Sequence, residues 1–178
     1  MSILAIDCAT STGCCDGLIG GEPRCWSWYL DDVGTSRPAR FALLASFLRR
    51  YFETQPCDAV CYENPLALAV MARIGAQEAT ISFLRGAIGV IELLCEEHGK
   101  PVRGINVQDA REGVLGWRTN RTSVKTKQRV IDEVRLFGCH VENEHEADAN
   151  IIWRYACASC NPRLAVAMTP LFRERTTT

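Results

Sequence analysis

The hydrophobic and polar positions divide the chain into short apolar runs at the N-terminus and longer amphipathic segments after them. Ile3 to Ile6, Cys14 to Ile19 and Arg24 to Leu30 are three such runs, separated by ThrSerThrGly and GlyGlyGluPro. Turn-forming stretches between short strands predict an antiparallel meander. From Pro38 to Glu53 the period changes, with Phe41, Leu44, Leu48 and Phe52 recurring at spacings of three and four, which predicts an amphipathic helix. Ala59 to Tyr62 is a brief apolar run ended by Glu63 and AsnPro, a length that suits a buried strand. Ala76 to His98 predicts a long helix, stopped by Gly99 with Pro101 just beyond. Val102 to Val107 predicts a further strand, entered about forty residues after the preceding one, so the two should pair in parallel through a right-handed crossover. A short helix from Gln108 to Leu115, a basic loop, and helices over Thr122 to Phe137 and Glu146 to Ala158 complete the chain. The order βββαβαβααα predicts a mixed α/β layer in one domain over residues 1–172, with 173–178 as a frayed tail.

Composition narrows the functional classes. A chain of 178 residues with 47% hydrophobic and 23% charged residues can bury a large core without disulfide or metal staples. The net charge of −1 gives no overall attraction to a polyanion, so any such partner must be met by a local patch. Positive charge is carried by 17 Arg and only Lys100, Lys125 and Lys127, a bias that suits bidentate phosphate contacts and that a GC-rich genome would equally produce. No basic segment followed by an apolar signal core opens the chain, and no apolar run reaches the ~18 residues of a bilayer span. A cytoplasmic protein without membrane contact is expected, its ten cysteines acting mostly as small core residues. Cys157 and Cys160 form a CxxC pair with no second pair at zinc spacing, which favours packing over metal.

Three acidic sites stand out against this background. Asp7 ends the first strand and Glu63 ends the fourth. If those strands are neighbours, both acids project from one sheet edge, where open α/β sheets build their sites. Glu144, His145, Glu146 and Asp148 cluster in NEHEADAN at the start of the last helix, where His145 and Asp148, three apart, share a face. Taken singly, Asp7 reads as a turn cap, Glu63 as a strand-end surface acid and the last group as an acidic helix start favoured by the dipole. Taken together they predict a site for Mg²⁺ or Mn²⁺, hard ions that accept carboxylate, water and phosphate oxygens. Two such ions about 4 Å apart suit phosphodiester hydrolysis.

The segments ILAIDCATSTG, CDAVCYENP, FLRGAIGVIELLCEEHGKPV, VQDAREGVLG, TKQRV and HEADAN occur in an order that resembles the RuvC family of Holliday-junction resolvases, within the RNase H-like nucleases. The resemblance covers about 150 residues. It implies an RNase H-like mixed five-stranded sheet, an antiparallel meander plus parallel strands, flanked by helices. It implies a crossover junction endodeoxyribonuclease, a divalent-metal-dependent hydrolase that leaves 5′-phosphate and 3′-hydroxyl ends in recombination and repair. The family's metal-binding acids fall on Asp7, Glu63 and Asp148, with His145 where many members have Asp, and two Mg²⁺ or Mn²⁺ ions per subunit are implied. An imidazole ligand favours Mn²⁺, with Glu144 or Glu146 as the substitute for His145. After Asp7 the family's ProGlyThr is replaced by Cys8, Ala9 and Thr10.

The stretch VLGWRTNRTSVKTKQRV, ending at Val130, carries Arg118, Arg121, Lys125, Lys127 and Arg129 with no acid. It reads as a phosphate-binding segment or as a solvated helix face, and an acidic site that must admit DNA needs such a neighbour. Lys127 aligns with a family lysine near the metals, and Arg85 with a family position on the long helix. In the family the segment after Glu63 reaches into the junction, which marks Leu66, Leu68, Met71 and Arg73 as candidate DNA contacts beside a packing role. The resemblance further implies a homodimer on a four-way DNA junction, with the helix from Ala76 to Cys95 at the interface, and the compact chain fits a bacteriophage member. A catalytically drifted, dimeric DNA-binding or scaffold protein of the same fold is the alternative. An actin-like kinase or ATPase shares a first hairpin of this kind, but the chain is too short for its two domains, so no nucleotide cofactor is expected.

Overall fold

The computed structural model describes residues 1–33, 36–65, 75, 77–118, 124–161 and 163. Five strands, β1 (Ser2–Asp7), β2 (Ser11–Leu18), β3 (Arg24–Tyr29), β4 (Ala59–Glu63) and β5 (Val102–Ile105), form one sheet in the order β3-β2-β1-β4-β5. β1, β2 and β3 are the antiparallel meander, while β4 joins β1 in parallel and β5 joins β4 in parallel. This is the RNase H-like architecture expected from the sequence.

The pleat sends successive side chains to opposite faces, and two cores result. Ile3, Ala5, Cys15 and Cys61 face one way, against α3 (Val107–Leu115), α4 (Val124–Leu136) and α5 (Glu144–Cys160). Leu4, Ile6, Cys14 and Val60 face the other, against α1 (Arg37–Thr54) and α2 (Glu78–Glu97). β1 lies at the centre of the sheet and every one of its six residues is buried. By the same alternation Asp7 and Glu63 continue the rows of Ala5 and Cys61, and so share the α3–α5 face. At the opposite end of these strands Ser2 N–H donates to Asp58 Oδ2 at 2.7 Å, and Asp58 N–H donates to the Ser2 carbonyl at 3.0 Å.

Caps fix the helix boundaries and account for most differences from expectation. Ser36 caps α1 by accepting from Ala39 N–H, and Pro38 in its first turn needs no N–H partner there. The buried stripe of that helix is Leu44, Leu48 and Tyr51; Phe41 and Phe52 pack at its margins. Gly99, at φ +61°, ends α2 in the left-handed conformation that glycine adopts without strain. Val107, expected to end a strand, instead opens α3, because the Asn106 side chain accepts from Gln108 and Asp109 N–H and starts the helix there. Asn143 likewise caps α5 at Glu146 N–H, so the helix begins at Glu144 rather than at Glu146. All ten cysteines are free thiols and eight are buried; Cys157 lies in the core while Cys160 is exposed. Among the described residues no helix is long and apolar enough to cross a membrane.

Candidate active site

The C-terminal ends of β1 and β4 open into a cleft of about 540 Å³. Asp7, Glu63, His145 and Asp148, the four residues selected from sequence, all line it, together with Glu144 and Lys127. The approach of α5 to the strands depends on Gly13, the register partner of Asp7. A Cβ at Gly13 would lie 2.0 Å from the His145 carbonyl oxygen and 2.7 Å from Glu146 N, so only glycine lets the first turn of α5 rest against β2. His145 then reaches the sheet, and its Nδ1 stands 2.6 Å from Asp7 Oδ2.

Asp148, one turn further along α5, is gripped by Arg111 of α3. Arg111 Nε and Nη2 donate to Asp148 Oδ1 at 3.0 and 2.8 Å, and Nη2 also donates to Oδ2 at 2.6 Å. Both residues are buried, so each charge depends on the other. Lys127 Nζ donates to Glu144 Oε1, and the same oxygen lies 3.9 Å from His145 Nε2.

Burial dominates the electrostatics of the acids. It raises Asp7 from an ordinary 3.8 to about 7, with a Glu63 hydrogen bond pulling down and the Asp148 charge pushing up. Glu63 is raised well above the carboxylate range by burial first and then by the Asp7 charge. The side-chain hydrogen bond between the two acids pulls Asp7 down and pushes Glu63 up. Asp148 is raised by burial to about 6, and the Arg111 guanidinium keeps it from rising further.

The donor set of three carboxylates and an imidazole is chemically suited to a hard divalent ion. Among the described residues, however, no group of three or more His, Cys, Asp or Glu stands at metal-ligating spacing. The contacts give the reason: Asp148 is turned to Arg111, His145 to Asp7, and Asp7 to Glu63, so the charges are balanced internally. Glu144 and Glu146, interchangeable in sequence, are separated by the helix. Glu144 lines the cleft, whereas Glu146 is buried towards β3, accepting from Ser27 Oγ at 2.7 Å, Asn143 Nδ2 at 3.1 Å and Glu142 N–H at 2.7 Å.

The candidate DNA contacts are less uniform. Lys127 lines the cleft. Arg118 is exposed but donates to Glu112 at 2.6 Å and to Asp109, and Arg129 sits 4.2 Å over the Trp117 ring and 3.7 Å from Glu133. Arg85 is exposed on α2, one residue after Leu84 in the cleft wall. Lys125 belongs to the first turn of α4, with its side chain outside the described residues, as are Leu66, Leu68, Met71, Arg73 and Arg121 altogether. Two charged cleft residues, Arg111 and Arg40, were not among those the sequence pointed to. Arg111 could have been, since it falls in the apolar stripe of Val107, Ala110, Val114 and Leu115, where a charge needs a buried partner. Arg40, bound to Asp31 at 2.7 Å, gave no such signal, and its Nε is buried without a hydrogen-bond partner among the described residues.

No protein-family model matches the chain, and no curated protein sequence does. Solved structures do match. Thermus thermophilus RuvC aligns over 90% of this chain and 96% of its own at 20% identity and a TM-score of 0.62. T. thermophilus RuvC in complex with a Holliday junction substrate aligns over 90% of this chain and 95% of its own at 15% identity and a TM-score of 0.67. The yeast mitochondrial Holliday junction resolvase Ydc2 covers 93% of this chain and 83% of its own at 13% identity and a TM-score of 0.55. This chain therefore has the RNase H-like fold of the RuvC and Ydc2 resolvases over nearly its whole length.

Proposed function

We propose that this protein is a divalent-metal-dependent endonuclease of branched DNA, with the four-way junction as its substrate. The observation that carries the reading is the convergence of Asp7, Glu63, His145 and Asp148 on one cleft, on a fold shared with junction resolvases. These four residues would hold Mg²⁺ or Mn²⁺, two ions per subunit. When bound, the ions supply Lewis acidity towards a phosphoryl oxygen and lower the pKa of water. Asp7 and Glu63 would hold the ions as carboxylates, and Arg111 orients Asp148 within a buried wall. Lys127, already at the cleft, can exchange Glu144 for a backbone phosphate and hold the strand to be cut. Arg118 and Arg129 add cationic contacts to the DNA backbone, and Arg85, Leu66, Arg73, Arg121 and Lys125 are proposed as further DNA contacts from their places in the sequence. The protein acts as a homodimer through α2, because symmetric nicks need two sites, and the cuts leave 5′-phosphate and 3′-hydroxyl ends.

A second reading is favoured by one observation, the hold of Arg111 on both oxygens of Asp148. Under it the protein is a dimeric DNA-binding scaffold whose site is closed to metal. Incubation of a labelled four-way junction and a linear duplex with Mg²⁺ or Mn²⁺ separates the two. The nuclease nicks the junction symmetrically, and Asp7→Asn binds it without cutting. Nicking by wild type and Asp7→Asn at the same rate, or none by either with binding intact, overturns the nuclease reading.

A further inference from the structure

Outside the cleft lining, two thiols meet between neighbouring strands of the meander. Cys15 and Cys25 are register partners in β2 and β3, and their sulfur atoms are 3.0 Å apart. Ordinary disulfides join residues that face each other across short Cα separations, with sulfurs about 2.0 Å apart, so closure here needs a movement of about 1 Å. Asn150 of α5 points its side-chain amide at both, at 3.6 Å from Cys15 Sγ and 3.4 Å from Cys25 Sγ. Arg154, a turn later, bonds the Asn150 oxygen at 2.8 Å and the Cys139 sulfur at 3.1 Å. The pair is asymmetric in access: Cys15 is fully buried, while Cys25 is partly exposed on the edge strand.

We propose that Cys15 and Cys25 form a redox-convertible dithiol that a hydroperoxide oxidises to a disulfide. Cys25 is the sulfur a reagent meets first. The Cys15 and Asn150 hydrogen bonds and the Arg154 charge lower its pKa, whereas burial raises that of Cys15. The Cys25 thiolate attacks one peroxide oxygen, the O–O bond breaks, and hydroxide leaves to become water, so Cys25 becomes a sulfenic acid. The Cys15 sulfur then attacks the sulfenic sulfur, the S–O bond breaks, a second water leaves and the S–S bond forms. Two thiols and one hydrogen peroxide thus give one disulfide and two waters, each sulfur losing one electron and the peroxide gaining two. Asn150 lies two residues beyond Asp148, so the link forms directly beneath the helix that carries His145 and Asp148.

The test is peroxide titration of the reduced full chain, alkylation of remaining thiols and peptide mapping. The expected product is a single Cys15–Cys25 cross-linked peptide, two mass units lighter and reversed by dithiothreitol, formed at least tenfold faster than any other thiol is lost. Cys15→Ala is expected to stop at a Cys25 sulfenic acid that dimedone traps, and Cys25→Ala to remove the fast phase. Circular dichroism of both variants checks folding, and Asn150→Asp, which replaces the donor by a carboxylate, slows the step if either cysteine variant fails to fold. Retention of both thiols in wild type, a link from Cys25 to Cys139, or preferential oxidation of Cys160 overturns the proposal.

Discussion

Replacing Gly13 by alanine tests whether the seat of α5 on β2 governs the acid cluster. The added Cβ would sit 2.0 Å from the His145 oxygen, 2.1 Å from its carbonyl carbon and 2.7 Å from Glu146 N, where real Cβ contacts essentially never fall below 3.0 Å. All three atoms are backbone, so no side chain can turn aside and the start of α5 must retreat by roughly 1 Å. The His145 Nδ1 to Asp7 Oδ2 contact, 2.6 Å in the native chain, then opens past the ~3.2 Å limit of an ordinary hydrogen bond. Overpacking costs about 1–3 kcal/mol, and the lost hydrogen bond to a charged group about 1.5–3 kcal/mol more. A total near 4 kcal/mol is a large share of a typical stability of about 5–15 kcal/mol. Urea denaturation measures it, and nitrogen NMR of the His145 ring reports the Asp7 contact. Gly17→Ala, on the same strand with its nearest contact at 3.1 Å, is the matched control and should stay within about 1 kcal/mol of wild type. A Gly13→Ala protein within about 0.5 kcal/mol of wild type, with an unchanged His145 ring signal, would refute the reasoning.

Other consequences are open to the same kind of measurement. Arg111→Met strands the Asp148 carboxylate in a buried wall and should cost about 3–5 kcal/mol in the absence of metal. Mn²⁺ should then raise the melting temperature of the variant more than that of wild type; an equal rise in both counts against Arg111 as the balancing charge. The metal-free protein should lose stability as pH rises from about 4 to about 7. Asp7, at about 7, and Asp148, at about 6, are protonated more readily folded than unfolded, so their contribution is complete below 3.8 and is lost through those values. Urea midpoints across that range give the slope, and a midpoint that climbs steadily instead reverses the sign. Tyr51→Phe removes the O–H donated to buried Asp16 at 2.6 Å, and should lower stability by about 1.5–3 kcal/mol without altering junction binding.

How far the sequence reached can be seen in particular residues. The strands of the meander and the parallel pair were legible because their apolar runs are short and bounded by turn residues. The spacing in α1 points to Phe41, Leu44, Leu48 and Phe52 as its stripe, yet Tyr51 is the aromatic that reaches the core. Its hydroxyl has a buried partner in Asp16, a long-range pairing that no local period reveals. Asp7, Glu63, His145 and Asp148 could be brought to one cleft by strand ends and helix spacing. The division of labour between Glu144 and Glu146 could not, since it is set by where α5 crosses β3 and meets Ser27. The grip of Arg111 on Asp148 likewise joins residues 37 positions apart and depends on how two helices pack. The basic segment shows the reverse limit: five cations in sequence look free, yet Arg118 and Arg129 are partly occupied by neighbouring acids and an indole.

The clamp between Asp58 and Ser2 bears on how the acid pair is aligned. β1 and β4 are apolar on both faces, so sliding one past the other by a single residue would leave nearly as much hydrocarbon out of water. It would, however, turn Glu63 to the α1–α2 side, away from Asp7. Hydrophobic burial is thus almost indifferent to the one property of these strands on which the chemistry depends. The distinction is made by directional bonds at the other end of the sheet, where Ser2 N–H meets the Asp58 carboxylate and Asp58 N–H meets the Ser2 carbonyl. Asp58, five residues before Glu63 and remote from the cleft, works as an indexing pin for the two strands, and the alignment of the acids is inherited from it.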